Sequence, residues 1–233
     1  MEKAKKYVLE LISIKVLLVS ILFVFCLFAF AYIADEAVFE NENRFDNKVF
    51  SFFASFSTPG LVSVMKVFTF FGSVQFLVPA YILLIGYFFM KKKYRYGSDI
   101  AIIGVTSSVM MFWLKDLFHR ERPMLPIIQG LSTYSFPSGH ALSSFILCSI
   151  FIFIIRNGHW KSLYKWLVGI LLLLFAGTIG VSRIVLKVHY PTDVVASFCL
   201  GIAWVIFSLW LLKKINRKYM IRKDLSAAKP PTI

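Results

Sequence analysis

Cysteine is scarce in this chain, and the few cysteines present are not arranged for disulfides or metal binding. Three occur among 233 residues, Cys26, Cys148 and Cys199, and each lies inside a long apolar run. Their spacing matches neither a zinc site nor the paired cysteines of a disulfide-bonded secreted domain. We therefore interpret them as small apolar residues of the protein interior.

Acidic side chains are also few. Twelve Asp and Glu stand against 26 Lys and Arg, which gives a net charge of +14. A basic surplus of this size is one signature of nucleic-acid binding. Here, however, the basic residues are divided among four loops and chain ends, with long uncharged runs between them. We therefore expect no nucleic-acid partner, and the charge requires another explanation.

Apolar residues are abundant instead. The chain is 58% hydrophobic and contains 25 phenylalanines, more than a soluble core of this size requires. The apolar runs are continuous rather than alternating, so they predict membrane-spanning helices and not a barrel. Each run approaches the ~20 residues that a helix needs to cross a bilayer. The sequence predicts an all-α integral membrane protein with six transmembrane helices in a single domain, residues 1–233. The predicted spans are about 14–34, 61–90, 99–118, 138–156, 165–186 and 192–212.

Several shorter features modify this pattern. Ala29-Phe30-Ala31 resembles a signal-peptidase site, but the apolar run before it is longer than a usual signal segment, so we expect it to stay as a span. Asp35–Pro59 is acidic and then rich in phenylalanine, which indicates an outer segment that dips into the headgroup region. Leu61–Met90 is too long for one untilted span, and bends are expected at Gly72-Ser73 and Pro79.

The distribution of charge gives the predicted helices an orientation. If both chain ends, the Lys91 loop and the Arg156 loop share one side, that side carries 18 Lys and Arg against 4 Asp and Glu, and the other carries 8 of each. The whole excess falls on one side, which is typical of cytoplasmic loops. We therefore expect both termini in the cytoplasm. The basic tail after Lys213, which ends in Pro230-Pro231, is expected to be partly disordered.

Three polar clusters lie at span ends on the side assigned to the outside. They are Lys115…Arg122-Pro123, Pro137-Ser138-Gly139-His140, and Ser182-Arg183…His189…Asp193. A charged residue at membrane depth costs on the order of 2.5–3.5 kcal/mol at the bilayer centre, so such residues indicate function when several converge. Taken singly, each cation could be a rim charge that reaches for water, as we expect for Arg44 and Lys48.

The residue types in these clusters are those of a phosphate pocket. Lys115 and Arg122 are seven residues apart, which puts them on one helix face if the helix continues. Together with Arg183 they supply three cations for phosphoryl oxygens. The segment Ser138-Gly139 precedes a predicted helix, whose free N–H groups and dipole favour an anion.

Two histidines and one carboxylate could carry the chemistry. His189 and Asp193 lie one helical turn apart, so the carboxylate can hold one imidazole nitrogen as N–H and leave the other free to attack. His140 is the candidate for protonating the leaving oxygen. Asp193 also fits a plainer interpretation, since an acid in the first turn of a helix is favourable in itself. We expect the two other histidines, His119 and His159, to play no part in the reaction.

In order and spacing the clusters resemble the signature of the type 2 phosphatidic acid phosphatases. That signature reads KxxxxxxRP, PSGH and SRxxxxxHxxxD, and no signature position departs from it here. The resemblance covers Lys115–Asp193 directly and, through the six-span layout, most of the chain. It extends to small bacterial members, the phosphatidylglycerophosphatases and the undecaprenyl diphosphate phosphatases.

The resemblance implies a role for each signature residue. His189 would be the nucleophile that forms a phosphohistidine, Asp193 would orient it, and His140 would donate a proton to the departing group. The residues implied to hold the phosphoryl oxygens are Lys115, Arg122, Ser138, Gly139 and Arg183.

The resemblance also implies an activity and a location. The chain would be a lipid phosphatase of a bacterial plasma membrane, with its site facing outside, acting on phosphatidylglycerophosphate and also, or mainly, on undecaprenyl diphosphate. No metal, cofactor or obligate protein partner is implied beyond the lipid substrate and the bilayer. The sequence agrees on the metal, since we place every outer acid except Asp116 and Asp193 in a loop and find no carboxylate cluster for Mg²⁺. A phosphate or lipid transporter is the alternative of another class, although charges do not recur at mid-bilayer in successive spans.

Overall fold

The computed structural model describes the backbone of residues 2–40 and 42–227, and within them the side chains of residues 13–40 and 42–215. Regular structure in that part of the chain is helical, as predicted. The α-helices in chain order are α1 (Glu2–Ala34), α2 (Arg44–Ala54), α3 (Pro59–Phe70), α4 (Val74–Met90), α5 (Tyr94–Phe118), α6 (Gly139–Asn157), α7 (Ser162–Val185) and α8 (Pro191–Ala227). A π-helical turn, Asp35–Phe39, prolongs α1.

Six segments of the described chain are long and apolar enough to cross a membrane, so the predicted number of spans is confirmed. They are Ser13–Phe39, Pro59–Met90, Tyr94–Phe118, Gly139–Asn157, Ser162–Val185 and Pro191–Ile215. The fold is therefore that of a multi-pass membrane protein.

Helix α6 lies at the centre of the bundle, where it packs against α5, α7 and α8. Its Leu142 and Ile146 are fully buried in the main apolar cluster. Lipid tails are as apolar as these side chains, so close packing rather than the hydrophobic effect must hold membrane helices together. Gly201 of α8 provides such a close approach, because a Cβ added there would lie 2.8 Å from Cδ1 of Phe145.

The boundaries differ most from the predicted ones in three places. Helical structure continues past residue 34 to Phe39, where a loop was expected. The second span is divided into α3 and α4 by a break at Phe71–Ser73, which includes the expected bend at Gly72-Ser73, whereas Pro79 lies inside α4. The tail after Lys213 is helical as far as Ala227, and Pro230-Pro231 lie outside the described residues.

The segment between the first two spans is also more structured than expected. Arg44–Ala54 forms the short helix α2, and its Phe50 and Phe53 pack beside Ile184 of α7 and Val194 of α8. Phe50 and Phe53 are therefore partly covered by protein, whereas Phe52 and Phe56 stay exposed, as the predicted contact with the headgroup region requires.

The antiparallel arrangement brings four helix ends together. Helices α5 and α7 end where α6 and α8 begin, and the backbone N–H of Ser138, before α6, donates to the carbonyl of Asp193 in α8 at 3.5 Å. All three polar clusters of the sequence lie at these ends.

Candidate active site

The loop between α5 and α6 folds back over the helix ends and fixes the first cluster. The N–H of Ser135 donates to the carbonyl of Arg120 at 2.7 Å, and that of Ile127 donates to the carbonyl of Leu186 at 3.0 Å. The Lys115 ammonium in the last turn of α5 donates to the carbonyls of Tyr134 and Ser135. The lysine is thereby held at the site although only 7% of it is exposed.

Asp193 is fully buried in the first turn of α8 and is surrounded by donors. Its Oδ2 accepts from the Ser135 hydroxyl and from the N–H of Tyr190, the latter at 2.9 Å. Nδ1 of His189 lies 3.4 Å from the same oxygen. Because Asp193 is a carboxylate, this contact favours the tautomer with the proton on Nδ1 and leaves Nε2 unprotonated.

His189 lies in the short link between α7 and α8 and is 2% exposed. Its backbone N–H donates to the carbonyl of Arg183 at 3.3 Å, and its Nε2 lies 3.4 Å from NH1 of Arg122. Burial lowers the pKa of His189 to about 3, against an opposing effect of Asp193 that raises it. The imidazole is therefore neutral near pH 7, which is the state that a nucleophile requires.

Arg122 lies in the loop and not on the helix face that the sequence suggested for it. Helix α5 ends at Phe118, and His119 takes a left-handed conformation with a φ of 48°. The guanidinium is held by Thr133, whose carbonyl accepts from Nε at 2.8 Å, and by the Val188 carbonyl, which accepts from NH1 at 2.7 Å. Partial burial lowers the pKa of Arg122, yet these bonds leave it charged.

The other two signature cations are buried without a carboxylate. Arg183, in the last turn of α7, is 3% exposed and donates through NH1 to the hydroxyl of Thr69. Within the described residues, Lys115, Arg122 and Arg183 form no ion pair with an acid. Three uncompensated cations at one point provide a strong attraction for an anion.

Two buried polar atoms at this point also lack a hydrogen-bond partner. They are Nε of Arg183 and the hydroxyl of Ser138, the residue before α6. Unpaired buried donors are costly, so such a pair indicates that a ligand completes the site. Gly139 allows the start of α6 to lie near the lysine, because a Cβ added there would lie 4.0 Å from Cε of Lys115.

His140 lies in the first turn of α6, at the same end of the bundle as His189. It lies close enough to four other charged or titratable side chains to interact with them electrostatically, namely Arg183, His189, Arg122 and Lys115. Its ring also lies against the break between α3 and α4. A Cβ added at Gly72 would be 3.0 Å from Cδ2 of His140.

A family model for the PAP2 superfamily matches residues 96–217, which is more than half of the chain and includes all three clusters. The chain belongs to the PAP2 superfamily. This match confirms the family resemblance that the sequence motifs indicated. The chain is therefore a membrane phosphatase of the PAP2 type.

Individual relatives carry related names. Phosphatidylglycerophosphatase B of Bacillus subtilis is 30% identical over 68% of this chain and 79% of its own. An undecaprenyl-diphosphatase of Sulfolobus acidocaldarius is 29% identical over 46% of each chain. Among solved structures, the transmembrane PAP2-type phosphatidylglycerolphosphate phosphatase of Bacillus subtilis superposes with a TM-score of 0.69 at 29% identity, covering 86% of this chain and 96% of that one.

The structure adds residues to the PAP2 site that the motifs do not contain. Ser135 and Arg120 both contact Asp193, and Asp46 of α2 contacts Arg120. Nothing in the sequence distinguished Arg120 from its charged neighbours, and Asp46 is separated from it by 74 residues. The prediction that the outer acids other than Asp116 and Asp193 lie in loops was wrong for Asp35, Glu36 and Asp46, which lie in helical structure. Asp46 is also fully buried.

Metal ligands are a separate question. Among the side chains described, those of residues 13–40 and 42–215, no three His, Cys, Asp or Glu are grouped so that they could hold an ion. The two buried acids at this end of the bundle, Asp46 and Asp193, are both engaged by Arg120. The donors around His189 are cations and N–H groups, which suit an anion rather than a metal.

Proposed function

We propose that this PAP2 protein is a lipid phosphatase that removes the terminal phosphate of phosphatidylglycerophosphate through a phosphohistidine on His189. One observation supports it above the others: three cations without a carboxylate partner, among the side chains described, surround a buried imidazole–carboxylate pair. Such a pocket both attracts a phosphate and places a neutral nucleophile against it.

The first half of the reaction forms the phosphoenzyme. Nε2 of His189 attacks phosphorus while the bond from phosphorus to the lipid oxygen breaks. The proton stays on Nδ1, facing Asp193, whose carboxylate stabilises the positive charge that the ring acquires. His140 gives a proton to the departing oxygen.

The second half releases inorganic phosphate. His140, now deprotonated, accepts a proton from a water molecule whose oxygen attacks the phosphorus. The bond from phosphorus to Nε2 then breaks. Lys115, Arg122 and Arg183 hold the phosphoryl oxygens in both halves, together with the Ser138 hydroxyl and the N–H of Gly139. These reaction steps need no metal ion and no cofactor.

Undecaprenyl diphosphate is the second candidate substrate. The relative from Sulfolobus acidocaldarius bears the name undecaprenyl-diphosphatase. Both lipids present a terminal phosphate near the membrane surface, where the four helix ends meet. The charge asymmetry of the loops supports an orientation with this end outside the cytoplasm and both termini inside. An outward site receives undecaprenyl diphosphate directly, whereas phosphatidylglycerophosphate must first cross from the side of its synthesis.

The test is phosphate release by the purified protein in detergent from separate lipids: phosphatidylglycerophosphate, undecaprenyl diphosphate, phosphatidate and diacylglycerol pyrophosphate. We expect the highest kcat/KM with the first, and activity that persists in excess EDTA. His189→Ala should abolish release, while His159→Ala, in the turn between α6 and α7, should leave it unchanged.

Other outcomes would identify a different function. Phosphate release from none of these lipids, with uptake into vesicles, would indicate a transporter. Loss of activity in EDTA would contradict the metal-free reaction. Equal turnover of a water-soluble phosphate ester would contradict a lipid substrate, and full activity of His189→Ala would exclude the phosphohistidine.

A further inference from the structure

Arg120 is a buried arginine that the phosphate pocket does not use. It is 7% exposed and its guanidinium lies between two carboxylates. NH1 donates to Oδ1 of Asp193 at 2.6 Å, and NH2 donates to Oδ2 of Asp46 at 2.9 Å. Its flat face lies over the Tyr190 ring, 3.9 Å from the centroid. The position of the guanidinium is therefore fixed in three directions.

Asp46 extends this contact to α2, far from the signature clusters in sequence. It is fully buried, and besides Arg120 it accepts two bonds from Thr192, the residue next to Asp193. The Thr192 N–H donates to Oδ1 of Asp46 at 2.8 Å, and the Thr192 hydroxyl donates to Oδ2 at 2.7 Å. Asp46 thus holds both Arg120 and the first turn of α8.

We propose that Arg120 and Asp46 are positioning residues that act through Asp193, so that α2 is part of the catalytic apparatus. The inference rests on the function proposed above, since it assigns Asp193 the task of orienting His189. The chain of contacts runs from Asp46 through Arg120 and Asp193 to Nδ1 of His189.

The two carboxylate oxygens of Asp193 have different hydrogen-bond partners. Oδ1 is bound by Arg120, and Oδ2 faces His189, Ser135 and the Tyr190 N–H. A carboxylate held at one oxygen cannot rotate, so the other stays aimed at the imidazole. Partners that orient metal ligands from behind typically change activity by about 10- to 100-fold when mutated, and we expect an effect of that order for this carboxylate.

Burial of this triad argues against a purely structural purpose. Taking a guanidinium and two carboxylates out of water has a desolvation cost that can exceed the attraction between them, so apolar residues would often hold α2 to the bundle equally well. A charge chain that ends on the proposed catalytic carboxylate accounts for ionic groups at this position.

The arrangement has a consequence for the protonation of His189. Arg120 neutralises part of the charge on Asp193, and that charge favours the protonated imidazole. The other charged or titratable groups facing His189 are Lys115, Arg122, His140 and Arg183. None of these changes when Arg120 is replaced, so loss of Arg120 should make protonation of His189 easier.

The experiment compares Arg120→Gln, Arg120→Lys and Asp46→Asn in the full-length protein with phosphatidylglycerophosphate as substrate. For Arg120→Gln we expect kcat to fall about 10- to 100-fold with KM within about threefold of the starting value, because the phosphate ligands are intact. The acid limb of this variant, that is, the fall of kcat/KM at low pH as His189 becomes protonated, should move to higher pH. Arg120→Lys should retain part of the kcat and part of the original pH dependence. It keeps the positive charge but cannot contact both carboxylates as the guanidinium does.

Asp46→Asn should separate the effect of the negative charge of Asp46 from its effect on the position of Arg120. We expect a smaller fall in kcat, while the acid limb stays or moves to lower pH because a negative charge is lost. In the double variant Arg120→Gln/Asp46→Asn, the fall in kcat should be less than the product of the two single effects, since both act on one chain of contacts. The matched control is Arg156→Gln at the opposite end of α6, whose guanidinium also lies over an aromatic ring, that of Trp166.

A purely structural role would give a different result. Arg120→Gln would then unfold at lower temperature, but the folded enzyme would keep its kcat and its acid limb, and the proposal would be overturned. If Arg120→Gln does not fold, unchanged kcat in both Arg120→Lys and Asp46→Asn would overturn it equally. Activity retained by His189→Ala, in contrast, would refute the phosphohistidine reaction itself, whatever the Arg120 variants show.

Discussion

At the scale of single residues, the site contains two kinds of cation. Arg120 lies between two carboxylates, and its charge is compensated. Lys115, Arg122 and Arg183 contact backbone carbonyls and hydroxyls instead, and among the described residues no acid pairs with them. The uncompensated charges face the histidines, so the phosphate of a substrate would supply the missing negative charge.

Removal of one of these cations should affect the reaction strongly. We expect Arg122→Ala and Arg183→Ala each to lower kcat/KM by roughly 100-fold or more, because a preorganised donor to a developing charge contributes about 2.7–4 kcal/mol. Steady-state phosphate release measures this loss. Arg44→Ala is the control, since that side chain is exposed and its ion-pair partner among the described residues is Glu42. Near-normal turnover in either site variant would contradict the pocket.

The protonation of His189 gives a prediction for pH dependence. Attack requires the unprotonated Nε2, and burial places the pKa of His189 at about 3, below its usual 6.5. Activity that depends on this group should therefore be full above its pKa and lost only as pH falls toward it. We expect kcat/KM of the free enzyme to show no acid limb from His189 between pH 8 and about 5. A limb near 6.5 would show that the imidazole is solvated instead.

The sequence predicted the cations and histidines because their chemistry is unusual at membrane depth. It did not predict Arg120 or Asp46, since their roles arise only when α2 packs beside α7 and α8. A buried Asp in an exposed-looking acidic segment has no local signal. Ser135 was missed for the same reason, as one of several hydroxyls in a polar loop.

At the scale of elements, the break between α3 and α4 brings backbone close to a proposed catalytic group. Gly72 is buried in the break, where a Cβ would lie 2.8 Å from Cγ2 of Ile179 and 3.0 Å from Cβ of His140. Glycine is needed there because the turn lies against both side chains. The second span therefore contributes to the site through its shape, without a signature residue.

Substitution of this glycine should disturb His140. We expect Gly72→Ala to cost about 1–3 kcal/mol of stability by overpacking and to lower kcat by shifting His140 away from the leaving oxygen. Thermal unfolding and steady-state kinetics measure the two effects. Gly86→Ala is the matched control, since it lies in α4 and an added Cβ would meet no described atom within 4 Å beyond its neighbours and its own helix backbone. Equal kcat in both variants would show that His140 does not depend on this contact.

Element lengths followed from the sequence better than element boundaries did. Continuous apolar runs correctly gave six spans, because length and hydropathy decide whether a helix can cross a bilayer. The third span was predicted to end at residue 118, which is where α5 ends. The tertiary contacts of the loop that follows, which hold Arg122 outside the helix, were not predicted. The division of the second span was predicted in part, because Gly72-Ser73 weakens a helix locally.

At the scale of the whole molecule, the two ends of the bundle differ in charge and in function. The end without the signature clusters carries the Lys91 and Arg156 loops, and the sequence count assigns to that side, together with both chain ends, the entire excess of +14. The other end is balanced and holds the candidate site. This asymmetry supports an orientation with the site outside the cytoplasm.

Cysteine labelling in cells measures this orientation. Met124→Cys lies in the loop over the site, at a position that is 90% exposed, and Lys92→Cys lies in the exposed turn at the opposite end. We expect a membrane-impermeant maleimide to label Met124→Cys in intact cells and Lys92→Cys only after permeabilisation. The unsubstituted protein is the control, because its three cysteines lie within the spans. The reverse pattern would place the site in the cytoplasm.

The meeting of four helix ends makes the site sensitive to the thickness of the surrounding bilayer. Lys115, His140, Arg183 and Asp193 each belong to the terminal turn of a different helix. One helical turn is about 5.4 Å long. If one helix moved along its axis by a fraction of that length, groups that must contact the same phosphoryl group would be separated. Helices tilt to match the local hydrocarbon depth. Turnover is therefore expected to peak in lipids of one acyl-chain length and to decline in both thinner and thicker membranes.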